Sequence, residues 1–499
     1  MHVISNTSLI IWQVERRDYM GNSNRFYADV MALHEEVTGS CMLLNIKFPD
    51  RSAKKILIDC GLFQEADYSK YNQTLPFDVT NIDHVIVTHN HVDHTGRLPL
   101  LVKKGYQGKI HMSYDTATLL PNALKDSYKV LKIRAKLANE HVLYTEDDVD
   151  KTLEFIEGHN FEESIWIDEN IKITFFMNGH LPGAVVVLLQ IKYHSKEKHY
   201  EDINILFTGD YNNKNVFFDV NPIPKWVHQL PLTIVQESTY GNMNSEDIQC
   251  VFEKNILDSI SKGKEIVIPV FSLGRSQEIL LFLKNLQDEN KLDKNIPIYF
   301  DGKLGMKYTR LFTTGKINIK EECKDFLPEN LDFVTSKKQR DEITKDFKCK
   351  IILTTSGMGS HGPALTYLPI YIKRENALIH FTGYCAEGTL GRLLYESEKD
   401  SIVEVFGLKV KKLADVKFTS EFSAHAKADE LIDFLKPFEN IKMLLINHGS
   451  YESKNSYSEK VIREIDPKDI GVLNRMYYYR LNGYGLARPP ITTKFSQVS

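Results

Sequence analysis

The sequence predicts an α/β protein made of two layered units, and three observations predict it. Short apolar strands recur that end in a histidine or an aspartate. A middle stretch alternates strand and helix, the pattern of a parallel sheet with crossover helices. A chain of 499 residues, 42% hydrophobic and 26% charged, is long enough for two or three full cores.

Composition narrows the function. The net charge of −4 is not that of a chain built for tight, non-specific nucleic-acid binding. Six scattered cysteines, with no CxxC pair, argue against a disulfide framework or a cysteine zinc site, and read as reduced, buried thiols. No apolar run is long enough for a bilayer and no signal region is visible, so a cytoplasmic protein without membrane contact is expected.

Residues 1–29 carry a basic-aromatic stretch at 16–20 and read as an extension. A sheet is expected to begin over residues 37–44, and residues 55–61 form a second strand that ends in Asp59 and a glycine turn. Asp59 at a strand end suits a carboxylate that hydrogen-bonds a metal loop or a ligand imidazole; an ordinary turn aspartate is the competing reading.

Val85-Ile86-Val87-Thr88 reads as a buried strand, followed by His89-Asn90-His91-Val92-Asp93-His94 and then by a helix over residues 95–105. Four metal-capable side chains thus share one strand-end loop, where ligands collect in layered α/β folds. Residues two apart in an extended loop point the same way, so His89 and His91 can share one ion. Asp93 and His94 are left for a second ion or for water. Imidazole with carboxylate suits zinc, and manganese or iron also fit.

The pattern repeats downstream. Residues 114–158 have helical spacing, and the strand over 171–177 ends in a Gly/Pro turn holding His180, which can complete the face begun by His89 and His91. Ile205-Leu206-Phe207 delivers Asp210, whose two carboxylate oxygens can bridge cations ~3.5–4 Å apart. From about residue 245 to 415 strands and helices alternate, with glycine-rich turns after two strands; neither turn ends in the GK[ST] of a nucleotide loop. His380 falls mid-strand and reads as structural. Phe422-Ser423-Ala424-His425 precedes a helix, and the strand over 442–447 ends in His448, placed to close a second metal site. An amphipathic helix, a tyrosine-rich stretch and a polar tail complete the chain.

These residues resemble the metallo-β-lactamase fold in its β-CASP branch of nucleic-acid-processing enzymes. The HxHxDH of residues 89–94 is common to the whole superfamily. Glu237-Ser238-Thr239-Tyr240-Gly241, Pro269-Val270-Phe271 through Gln277-Glu278, and Gly383-Tyr384 through Leu390 are specific to the branch. The resemblance implies an αββα sandwich with an inserted β-CASP α/β domain. Its divisions would be an extension at 1–30, the sandwich at 31–230, the insert at 231–410, and the rest of the sandwich with a tail at 411–499. One zinc ion would be held by His89, His91, His180 and Asp210, and a second by Asp93, His94, Asp210 and His448, with manganese as a substitute. Glu237 and His425 would pair beside the metals, the histidine as general acid. Three departures stand out: residues 1–29; Tyr211-Asn212-Asn213 after Asp210, where relatives carry Ser-Arg; and His361, where relatives carry glycine.

The function implied is hydrolysis of single-stranded RNA by a hydroxide activated between two zinc ions, with Asp93 orienting it. A homodimer is one assembly the resemblance allows. Two other readings compete: a small-molecule ester or thioester hydrolase on the same fold, and a non-catalytic RNA-binding scaffold. The insert argues against the first, and the complete ligand set against the second.

Overall fold

The computed structural model describes residues 26–34, 36–64, 68–196, 199–383, 385 and 388–482. The stretch at 16–20, most of the extension, Tyr384 and Glu387 of one glycine-rich turn, and the tail beyond 482 lie outside the described residues.

Two seven-stranded sheets face each other. The first runs, edge to edge, Tyr478–Asn482, Tyr27–Ala32, Met42–Lys47, Ala53–Ile58, His84–Ile86, Lys109–Ser113 and Ile156–His159. The second runs Ile470–Val472, Ile441–Asn447, Leu232–Glu237, Ile203–Phe207, Val185–Ile191, Ile171–Met177 and Ser164–Asp168.

Alternation along each strand sorts the side chains into three cores. Ile171, Ile173 and Phe175 meet Leu44, Ile56 and Ile58 of the facing sheet. Phe176, Val186 and Leu188 point the other way, onto helices Ala428–Leu435 and Tyr451–Glu464. Leu43, Leu57 and Val85 cover helices Leu98–Lys103 and Tyr114–Ala138. Helix, sheet, sheet, helix is therefore the layer order, as the sequence predicts. Full burial of one such side chain contributes ~1.5–3 kcal/mol.

Local readings hold in part. The strand expected over 171–177 is there residue for residue, and helices fill much of 114–158. The single helix expected over 95–105 is instead two, Val92–Thr95 and Leu98–Lys103. Pro99 lies in the first turn of the second and has no N–H to continue the ladder, so the helix restarts there. Asp93 and His94 consequently sit on the first helix and not in the loop before it.

The sheet also begins earlier than residue 37, at Tyr27. Ala28 and Val30 of that strand face the inner core while Met31 faces the outer one, so burial on both faces erased the alternation that would have marked it. Its other neighbour is Tyr478–Asn482, from the tyrosine-rich stretch. Asp29 and Arg480 face each other in register and form a two-pronged ion pair at 2.8 and 3.0 Å.

The insert has its own six-stranded sheet, parallel throughout, in the order Leu331–Phe333, Ile298–Asp301, Lys350–Thr354, Glu265–Pro269, Ala377–Phe381, Asp415–Phe418. Two strands move the divisions expected at 231 and 411. Leu232–Glu237 pairs with Ile203–Phe207 and Ile441–Asn447, so it belongs to the sandwich. Asp415–Phe418 pairs with Ala377–Phe381, so it belongs to the insert. Leu232–Glu237 is buried along its whole length and shows no pattern that could tell which sheet it joins.

Two further readings are settled by burial. His380 is buried mid-strand, donating from Nδ1 to the Phe381 carbonyl at 3.1 Å and accepting from Asn255 at 3.1 Å. All six cysteines are free thiols, but Cys250 is exposed and Cys349 half-buried. Among the described residues no helix is long and apolar enough to cross a membrane.

The insert is seated on the sandwich by apolar contact and by several polar bonds, among them Lys320 N–H to the Phe217 carbonyl at 2.7 Å and Lys320 Nζ to the Asn215 carbonyl at 3.3 Å. Leu119, Leu181 and Phe217 join Val270, Leu273 and Phe312 in one cluster. Asn90, inside the His89–His94 segment, donates to the Tyr308 hydroxyl of the insert helix Lys303–Thr313 at 3.1 Å.

Phe175→Ala empties the centre of the sandwich and is expected to cost ~3–5 kcal/mol of stability, read as a lowered urea midpoint for loss of sandwich structure. A loss no larger than that of an exposed control such as Leu137→Ala would contradict the assigned core.

Candidate active site

Strand ends of both sheets converge on one rim of the sandwich. His89 and His91 follow His84–Ile86, His180 follows Ile171–Met177, Asp210 follows Ile203–Phe207, and His448 follows Ile441–Asn447. Asp93 and His94 come from the short helix Val92–Thr95. All seven side chains come together. His89, His91, His180 and Asp210 form one group, and Asp93, His94 and His448 another, with ligand-capable atoms within 4.8 Å of one another in each.

Asp210 stands between the groups. Its Oδ2 lies 3.5 Å from His89 Nε2 and 3.7 Å from His180 Nε2. Its Oδ1 lies 3.2 Å from His448 Nε2 and 3.4 Å from His94 Nε2. Each carboxylate oxygen thus serves one group.

Hydrogen bonds behind the imidazoles set which nitrogen each presents. Thr88 Oγ1 donates to Asp59 at 2.8 Å, so it accepts from His89 Nδ1 at 3.1 Å. His180 Nδ1 donates to the Ala424 carbonyl at 3.0 Å. His448 Nδ1 donates to Thr239 Oγ1 at 3.1 Å. These three rings turn an Nε2 lone pair inward. His91 Nδ1 lies 3.2 Å from both His89 Nε2 and His180 Nε2.

That arrangement fits a divalent metal. One proton on His91 could satisfy only one of the two lone pairs it faces. With metal–nitrogen bonds of ~2.0–2.1 Å, neighbouring tetrahedral ligands lie roughly 3.3 Å apart, close to the spacing found. Asp210 Oδ1 is buried and, among the described residues, has no hydrogen-bond partner. Such an orphan costs about 1–3 kcal/mol or more unless a cation meets it.

Electrostatics point the same way. Burial holds His91 and His448 down to about 3, and pushes His89 and His180 well below the ordinary histidine value. Burial works against ionising Asp210, yet its imidazole neighbours, led by His448 and His94, hold it well below the ordinary carboxylate range. Neutral imidazoles around an anionic carboxylate are the forms a metal requires. His94 is different. Burial disfavours its charged form, but Asp210 and Asp59 outweigh this and hold its pKa well above the ordinary value.

Asp59 lies under the loop. Its carboxylate accepts from the Thr88 N–H at 2.7 Å and the Thr88 hydroxyl at 2.8 Å, and lies 2.7 Å from His94 Nδ1. Gly61, next along, is pressed so close that an added Cβ would lie 1.4 Å from the Asp93 carbonyl oxygen.

Glu237 and His425 meet beside the two groups. His425 Nδ1 lies 3.0 and 2.9 Å from the two Glu237 oxygens, and His425 Nε2 lies 3.8 Å from Asp210 Oδ2. Burial lowers the His425 pKa, but Glu237 and Asp210 raise it more, so it lies above the ordinary value. The Tyr211 and Thr239 N–H groups also donate to Glu237 and fix it.

Several supporting residues were not singled out in the sequence. Arg97 donates to the Gly61 carbonyl under the loop and lies 4.8 Å over the Phe63 ring. Asn178 accepts from the His180 N–H at 2.9 Å and donates to the Asp210 carbonyl at 2.9 Å, tying two strand ends together. Lys427 donates to the His425 carbonyl at 2.8 Å and lies 4.6 Å over Tyr240. Asn178 and Lys427 flank motif residues, the only sequence signal they carried. Of the departures, Tyr211 packs its ring on Phe434 at 4.7 Å, Asn212 is buried, and His361 is exposed in its turn.

Three family models match the chain: the metallo-β-lactamase superfamily over residues 35–169, the β-CASP domain over 276–394, and the Zn-dependent metallo-hydrolase RNA specificity domain over 409–472. The chain is 30% identical to an RNase J-like protein of Methanocaldococcus jannaschii, over 83% of this chain and 92% of that one. It is 27% identical to a ribonuclease of Thermus thermophilus, over 84% and 91%. It is also 27% identical to the cleavage and polyadenylation specificity factor 73 of Drosophila melanogaster, over 87% of this chain and 61% of that protein.

Two outcomes are expected. Asp59→Asn removes the carboxylate that orients His94 and weakens divalent-metal binding by ~10–100-fold, read by competition with a chelating dye. Metal loading expels the His94 proton, so affinity falls as pH is lowered, and this dependence extends above 6.5. Calorimetry in two buffers of different ionisation enthalpy reads the released proton; none released at neutral pH would contradict it.

Proposed function

The chain belongs to the metallo-β-lactamase superfamily, in its β-CASP branch, and from that membership we propose that it hydrolyses single-stranded RNA with two zinc ions. The observation that carries this reading is the His425–Glu237 pair set beside the two ligand groups that share Asp210. A small-molecule esterase would not need a second α/β domain seated by Asn90 and Leu181 over the same rim.

Two divalent cations held by the seven residues would activate a water at neutral pH and neutralise negative charge developing on phosphate oxygens. The chain's own groups do the rest. Asp93, at the rim 3.9 Å from His94, would orient the attacking water. Glu237 holds the His425 Nδ1–H and turns Nε2 toward the shared carboxylate. Protonated His425 then gives its Nε2 proton to the departing oxygen. The buried floor of Asp59, Thr88 and Asn178 keeps these groups from moving as charge shifts.

His425→Ala is expected to keep both zinc ions and lose turnover by ~10²–10⁴-fold. Glu237→Gln removes the charge that raises the His425 pKa, so the alkaline limb of activity should move to lower pH. An unmoved limb would show that His425 is not the acid. The reading as a whole is tested on two labelled single-stranded RNAs, one with a 5′-monophosphate and one with a blocked 5′ end. Internal cleavage of both, lost in Asp93→Ala, supports an endonuclease. Mononucleotides released from the phosphorylated RNA alone support a 5′-exonuclease. No cleavage of either by zinc-loaded protein refutes the RNA reading.

A further inference from the structure

A second histidine cluster lies at the open edge of the sandwich and shares no residue with the site above. His84, His111 and His159 stand on the neighbouring strands His84–Ile86, Lys109–Ser113 and Ile156–His159. His111 is in register with Glu157, and His159 lies two residues further on the same face. His84 Nδ1 is 3.1 Å from His111 Nε2, and His111 Nδ1 is 3.0 Å from His159 Nε2.

The chain of contacts sets the tautomers. Asp168, from the edge of the second sheet, lies 4.0 Å from His84 Nε2 and 2.8 Å from Lys54. The carboxylate favours the proton on His84 Nε2, so His84 Nδ1 accepts from His111 Nε2–H. His111 Nδ1 is then a lone pair, aimed at His159 Nε2. Burial holds His111 down to about 3 and lowers His159, so both rings are neutral. Glu157 is exposed, and one of its oxygens, His111 Nδ1 or Nε2 and a His159 nitrogen lie within 4.8 Å of one another. Two neutral imidazoles and a carboxylate, open to solvent on the carboxylate side, form a ligand set zinc accepts. The His84–Asp168 relay behind His111 is the support that ligating histidines use.

We propose that His111 Nδ1, His159 Nε2 and the Glu157 carboxylate hold a further divalent cation, which clamps the last two strands of the first sheet. Full-length protein equilibrated with buffered micromolar zinc and freed of excess is assayed for zinc by mass spectrometry. Three equivalents are expected in the wild type and two in His159→Asn. Glu157→Ala, at an exposed position that does not endanger folding, should weaken the third site by on the order of tenfold or more. Zinc should also raise the thermal midpoint of His159→Asn less than that of the wild type, since only the wild type gains the clamp. His180→Ala, which damages the strand-end site, should leave the third equivalent in place. Two equivalents in the wild type, or three retained with unchanged affinity in both edge variants, overturns the proposal.

Discussion

Everything at the rim depends on one buried carboxylate. Asp210 presents one oxygen to His89 and His180 and the other to His448 and His94, and among the described residues Oδ1 makes no hydrogen bond. A group like this is tolerated in a low-dielectric site only if cations complete it. The surroundings are organised to that end: Asn178 holds its backbone, and the imidazoles around it turn lone pairs inward because Thr88, Ala424 and Thr239 occupy their other nitrogens.

The sandwich makes this convergence mechanically dependable. Strands from both sheets end on the same rim, and the inner core of Ile56, Phe175 and Phe207 locks their relative height. Gly61 and Arg97 then press the histidine loop from below, where no larger residue than glycine would fit. A polar site in such a position is pre-organised, so little reorganisation is needed as charge develops.

The insert is coupled to this rim through the loop that carries the first histidines. Asn90 lies between His89 and His91 and bonds to Tyr308, while Leu181, next to His180, packs into the insert's core. A shift of the insert therefore acts on both histidine segments. His425 and Glu237 are joined across 188 positions of sequence by the same arrangement, because the strand Leu232–Glu237 leaves the sandwich and the chain re-enters it only after the insert.

The sequence by itself determined the layered α/β class and the strand ends that carry His89, His91, His180, Asp210 and His448, and it left Asp59 between a carboxylate beneath the loop and an ordinary turn aspartate. It could do so because a metal site is built from rare residue types at strand ends, and inward-facing alternation survives wherever one face is less buried than the other. Only the tertiary structure decided the rest. It placed Tyr27–Ala32 beside Tyr478–Asn482, gave Leu232–Glu237 to the sandwich and Asp415–Phe418 to the insert, and stacked His84, His111 and His159. Strands buried on both faces carry no periodic signal. Side chains that meet across a sheet edge have no fixed spacing along the chain, so their partnership exists only once the strands have found their register.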